Sequence, residues 1–251
     1  MGFLKDILQH LFKTAETMSF YSFYNKLENH IQTKTYPNDF TLPQAISFPE
    51  DFWKQVVNLY KETQKDGHER AVSVFLWEDE YIFATIIHGD KSQVSVGGSI
   101  RVAYEPKNKK SPNTNYYRKI WIDEKVYSKK EVAQKKVPSQ IDPPIYLFHL
   151  HTHPPHDPND GYSTAKPLVG GDYVGKFGYS YWSAQDIKSF LKSKNIITGL
   201  ITDEFRLLVK TNKTTTYVTD ITDYKITPKY IKEELKIIEY KGRFGEKIVR
   251  S

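Results

Sequence analysis

Four of the chain's eight histidines fall in "HLHTHPPHDP", residues 149–158. A neutral imidazole nitrogen is a common metal ligand, so the spacing of these four decides what they can hold. The run before them, "IYLFHLH", has the length and composition of a strand. Alternate residues of a strand share a face, so Ile145, Leu147, His149, His151 and His153 are expected to point one way. His151 and His153, two apart, can converge on one ion, and Pro154 ends the strand directly after them. His149 sits deeper on the same face and reads as support or core packing. His156 reads as a loop residue or a substrate contact.

The chain has no cysteine, so any metal must be held by histidine and carboxylate. A catalytic site built on two histidines needs a third protein ligand and an open position. The stretch "WSAQDI", 182–187, offers that ligand. Ser183-x-x-Asp186 ahead of Ile187, Phe190 and Leu191 is a capping box, with the serine as cap and the carboxylate at the third helical position. Such a box also places a hydroxyl and a carboxylate together at a helix N-terminus, so the structural and the chemical reading hold at once. Two other patterns that contain H-x-H fail. The metallo-β-lactamase order H-x-H-x-D-H would require Asp where His153 stands, and amidohydrolase-type sites need later histidines, whereas none follows His156.

His151-Thr152-His153-Pro154 followed by Ser183-Ala184-Gln185-Asp186 resembles the H-[S/T]-H-P … S-x-x-D signature of the JAMM (MPN+) metalloproteases, a family that includes deubiquitinating isopeptidases and RadC-like proteins. In element order the resemblance covers most of residues 50–240; the identical positions are few. It implies a cytidine-deaminase-like sandwich and a catalytic Zn2+ held by His151, His153 and Asp186, with water in the fourth place. It further implies a glutamate general base at the start of an early strand, and Ser183 as hydrogen-bond donor to the oxyanion. In "DGHERAVSVFLWEDEYIFATIIHGD", Glu69 stands where that base is expected, with Glu78 and Glu80 as rivals in the expected hairpin turn. The activity implied is hydrolysis of a protein or peptide amide, with the linkage of a ubiquitin-like conjugate among the candidate substrates.

Two intervals depart from the family's pattern. Residues 155–182, 28 in all and rich in Gly, Tyr and Pro, separate the H-x-H-P from the S-x-x-D. Long loops inside compact domains are usually functional, so this insertion is expected to act as a substrate flap or lid. The 82-residue step from Glu69 to His151 is also long, running through polar loops.

These residues must be carried by a folded frame, and the rest of the chain can supply one. Of its 251 residues 39% are hydrophobic and 14% aromatic, enough for a packed core, and the 26% that are charged are spread along the chain. The order of patterns is helix, strands, helix, strands, helix, which predicts an α+β fold, a mixed β-sheet flanked by helices, with an N-terminal helical arm. The arm and its proline-containing linker occupy 1–45, and a metalloprotease-like domain occupies 46–242. Phe3, Leu4, Ile7, Leu8, Leu11 and Phe12 make the first helix amphipathic, suited to packing on its own domain or a partner. "SFPEDFWKQVVNLYKETQKDG" predicts a helix with Pro49 early and Gly67 closing it, and "TPKYIKEELKIIEYKG" predicts a last helix capped by Thr227.

No secretory signal or membrane-spanning run is seen, so a cytoplasmic protein is expected. The net charge of +6 would suit nucleic acid, but the lysines are scattered, and solvated loops are the favoured explanation. Two alternatives to a peptidase stand beside it: a RadC-like, DNA-associated protein, and a non-catalytic MPN-type scaffold.

Overall fold

Strand β3, Arg70–Trp77, lies between two antiparallel neighbours, β4 (Glu80–His88) and β7 (Ile145–Thr152), and this three-strand unit carries the histidine run. The computed structural model describes residues 17–77, 80–88, 100–106, 116–122, 145–154 and 181–251. The chain divides into two compact units: one holds the described residues within Met1–Tyr60 and Pro155–Ser251, the other those within Lys61–Pro154.

In the Lys61–Pro154 unit, β3 is rich in β-branched and aromatic residues, and Ala71, Val72, Val74 and Leu76 are buried. Residues of β3 pair with β7 in register Arg70↔Thr152, Ala71↔His151 and Ser73↔His149, with a shift between Val74 and Phe75. A separate hairpin pairs β5 (Ile100–Pro106) with β6 (Tyr116–Ile122). The strand after Glu69 and the IYLFHLH strand were both expected.

The other unit is built around the sheet run β1-β2-β11-β10-β9-β8. Its strands are β1 (Thr17–Ser19), β2 (Ala45–Ser47), β8 (Ile197–Ile201), β9 (Phe205–Val209), β10 (Ile238–Gly242) and β11 (Ile248–Arg250). β1 and β2 pair in parallel and the other neighbours in this run pair antiparallel, so the sheet is mixed. β8 and β9 are buried throughout, in keeping with their mostly apolar sequence, in which Thr198 and Arg206 are the polar members. Helix α1, Phe20–Thr33, is capped by Ser19 and closed by Lys34 in the left-handed region at φ 56°. It buries Phe20, Phe23, Tyr24 and Leu27. Phe23 meets the edge of Tyr240, and Phe20 stacks on Phe48. Helix α2, Glu50–Asp66, follows an extended stretch and packs Phe52 and Trp53 edge-on against Phe205. Gly67, at φ +70°, ends α2 by the left-handed turn that a residue lacking Cβ takes at no cost. Helix α3, Ala184–Lys192, buries Ala184, Ile187, Phe190 and Leu191 against Leu200, Leu208 and Ile231.

The fold is thus α+β with a mixed sheet and few helices, as expected at that level. The last expected helix is corrected. Residues Tyr230–Glu234 make a single π-type turn, and Ile238–Gly242 form strand β10. Lys236 adopts φ 54°, which stops the helix, and Ile238 and Tyr240 pair with Val209 and Leu207 of β9. The apolar spacing of Ile231 and Leu235 is helical, but sheet pairing wins over that local pattern from Ile237 onward. The threonine-rich stretch 213–222 has no regular element and is followed by a 3-10 turn, Asp223–Lys225. The amphipathic segment 3–12 and nearly all of the insertion lie outside the described residues, as do Glu78 and His156. Among the described residues no helix is long and apolar enough to cross a membrane.

Candidate metal centre

β7 ends at Thr152, and its alternation puts the imidazoles of His151 and His153 on one side, with ring centroids 5.0 Å apart in an edge-on arrangement. Both are buried, at 5% and 4% exposure. Across the strand pair His151 stands opposite Ala71, whose small side chain gives the imidazole room. Pro154, with no N–H to offer a ladder, follows at once. His149, opposite Ser73 and partly buried, lies further back along the strand.

Glu69 immediately precedes β3 and is itself buried, at 8% exposure. Its Oε1 stands 3.8 Å from His153 Nε2. Glu80, the rival, opens β4 opposite Trp77 and is exposed.

Ser183 caps α3. Its Oγ accepts from Asp186 N–H at 3.1 Å, and the Asp186 carboxylate accepts from Ser183 N–H at 2.8 Å. The reciprocal pair is the capping box expected from the sequence. The serine accepts in this bond, so its own O–H proton is not consumed by it. One Asp186 oxygen, Oδ2, takes the backbone bond, and a carboxylate has lone pairs beyond the one used there.

The sequence reading missed three features. Asp223 Oδ1 accepts from Ala184 N–H at 2.6 Å, so a second carboxylate sits at the α3 N-terminus, where the helix dipole favours negative charge. Glu239, almost fully buried, receives Tyr181 Oη–H and Trp182 Nε1–H, each at 3.2 Å, and Arg206 Nη1–H at 3.3 Å. Burial, and then the neighbouring Glu239 charge, hold the Tyr181 hydroxyl far above the ordinary phenol range. This network fixes the two aromatic residues that lead directly into Ser183. No spacing rule could have linked residues 39 to 58 positions apart. The third feature surrounds Arg70, which is 1% exposed and whose guanidinium bonds to both oxygens of Asp66 and to the His68 carbonyl. Its i,i+4 relation to Asp66 across the end of α2 was visible, but a buried arginine beside a strand start was not.

One ligand atom each of His151, His153 and Asp186 lies within 4.8 Å of the others, and the group could hold a metal ion. Two imidazoles and a carboxylate are a donor set that suits a borderline-soft divalent ion. Comparison of the chain with protein-family models, with curated proteins and with solved structures finds no match.

Proposed function

We propose that this protein is a zinc-dependent hydrolase of the JAMM type, cleaving amide bonds in proteins or peptides, with the isopeptide linkage of a ubiquitin-like modifier as one candidate substrate. The observation that carries the reading is the gathering of His151, His153 and Asp186 ligand atoms within 4.8 Å. Glu69, buried beside His153, adds the one further group that amide hydrolysis requires.

His151, His153 and Asp186 would hold the ion, and a bound Zn2+ supplies Lewis acidity toward a carbonyl oxygen and acidifies water. Glu69 is the general base: it takes a proton from the attacking water and returns it to the leaving nitrogen as the C–N bond breaks. Its separation from the His153 ring nitrogen exceeds a hydrogen bond, which suits a base that sits beside the ligands without belonging to them. Ser183 donates its O–H to the negative charge that develops on the former carbonyl oxygen. The capping bond holds Ser183 Oγ as an acceptor and so turns the proton away from the helix. Products are a carboxylate and an amine.

Elemental analysis of the purified full chain tests this reading. One zinc per chain is expected, lost on His151→Ala or Asp186→Ala, together with chelator-sensitive cleavage of a peptide amide. Well-folded wild-type protein that takes up no zinc would overturn it.

A further inference from the structure

Behind the ligand-bearing face lies a buried polar chain that the proposed reaction does not use. Thr152, between the two histidines, points to the opposite side of β7 and is fully buried, as is Thr63 of α2. Their hydroxyl oxygens are 2.6 Å apart. The Arg70 backbone N–H donates to Thr152 Oγ1 at 2.9 Å. The Arg70 guanidinium, through Nη1, reaches Thr63 Oγ1 at 3.3 Å, Asp66 Oδ1 at 2.9 Å and the His68 carbonyl at 2.9 Å; its Nη2 reaches Asp66 Oδ2 at 2.5 Å. Gly67 N–H donates to the Thr63 carbonyl, and His68 N–H to Asp66 Oδ1. The connection from α2 to Glu69 and the end of β7 are thereby tied into one network.

We propose that Thr152 is a positioning residue whose hydroxyl, held by Thr63 and the Arg70 amide, sets how His151 and His153 present their nitrogens to the metal. This rests on the zinc reading above. The physical argument begins with the place of Thr152 at the end of a strand. β7 ends at Thr152, and Pro154 cannot donate a further ladder bond, so the strand register beside His153 is set by the pairing up to Thr152. A slip of one residue there would exchange the faces of all three side chains and turn both imidazoles to the opposite side of β7. The two bonds to Thr152 Oγ1 oppose that slip, since they exist only while the hydroxyl faces α2. A buried hydroxyl keeps its bonds because leaving either partner unmet is costly. The same network seats Glu69 from its other flank, through the Arg70 side chain and the His68 carbonyl.

Thr152→Val retains the branched shape and removes the hydroxyl; Thr152→Ser retains the hydroxyl. Zinc dissociation constants, measured by chelator competition on the full chain with zinc as the only probe, are expected to rise about tenfold or more for Thr152→Val, the range seen when groups supporting metal ligands are removed. Thr152→Ser should stay within about threefold of wild type by the same reasoning. Amide exchange at Arg70 in metal-free protein should quicken in Thr152→Val and not in Thr152→Ser. A merely structural threonine would lower the melting temperature of Thr152→Val and leave zinc affinity of the folded protein unchanged, and that result overturns the inference while the zinc reading stands. Wild-type protein without zinc affinity defeats the zinc reading itself, and this inference with it. If Thr152→Val does not fold, Thr63→Val removes the other half of the hydroxyl pair, and an unaltered zinc affinity there overturns the inference equally.

Discussion

Glu69 Oε1 stands 3.8 Å from His153 Nε2, and both side chains are almost sealed from solvent. The pair joins residues that are 84 positions apart through the register Arg70↔Thr152, one step inward from each. If Glu69 is the base and not a ligand, Glu69→Gln should keep its zinc and lose amide hydrolysis by about 10²-fold or more. Zinc stoichiometry and kcat/KM measured on the same preparation check this. Retained turnover would move the base elsewhere, to Glu80 first among the described acids.

Ser183 caps α3, and the proposed reaction gives it a second, separable job. As the helix cap it contributes about 1 kcal/mol, most of which glycine at that position retains. As an oxyanion donor it has no substitute in glycine, so Ser183→Gly should cost about 10²-fold in kcat while stability falls by only a few tenths of a kcal/mol. Urea unfolding and steady-state kinetics together separate the roles. A large loss of stability with unchanged kcat would leave Ser183 a cap alone.

The gathering of His151, His153 and Asp186 was legible because its constraints are local. H-x-H on a strand fixes a shared face, and S-x-x-D at a helix start fixes a hydroxyl and a carboxylate within the first turn. Residues whose roles come from tertiary neighbours left no such trace. Asp223 reaches the α3 N-terminus from 39 positions away, and Glu239 gathers Tyr181 and Trp182 from before α3 and Arg206 from β9, beside which β10 runs. The same physics misled the reading of Ile237–Tyr240 as helix. Those residues repeat at a spacing that either element can use, and pairing with β9, which a sequence window cannot weigh, decided between them. Glu69 lay between the two cases: its position before a strand was readable, whereas its nearness to His153 depended on a register that no local pattern contains.

Asp66 holds the Arg70 guanidinium with both oxygens, and these bonds keep its carboxyl well below the usual carboxylate range. A carboxylate whose folded pKa is depressed contributes stability above its unfolded value near 4, and that contribution is lost as pH falls further. Asp66→Asn should therefore destabilise at neutral pH, by about 2 kcal/mol given that the aspartate is partly exposed while Arg70 is buried. The deficit should shrink below about pH 4, where wild type loses the same interaction. Urea midpoints at pH 3 and pH 7 test the sign, and a deficit independent of pH would place the effect in packing.

Lys210 carries the opposite signature. Its side chain is fully buried, with Nζ donating to the Ser193 carbonyl at 2.7 Å and lying 4.6 Å from the centre of the Phe190 ring. Burial pushes its ammonium pKa down to about 8. The unfolded chain keeps a lysine value near 10.4, so between about pH 8 and 10.4 the unfolded state binds more protons and stability rises with pH. Below that window the folded state bears the full cost of a desolvated charge, partly offset by the carbonyls at the end of α3 and the aromatic face. Lys210→Met removes the titrating group while filling the same space. The rise in urea midpoint from pH 7.5 to 10 is expected to be smaller in Lys210→Met than in wild type, the difference isolating this one amine from the other groups that titrate there. Equal rises in the two proteins would mean that Lys210 keeps an ordinary pKa, and that its carbonyl partners and the Phe190 ring compensate its burial in full.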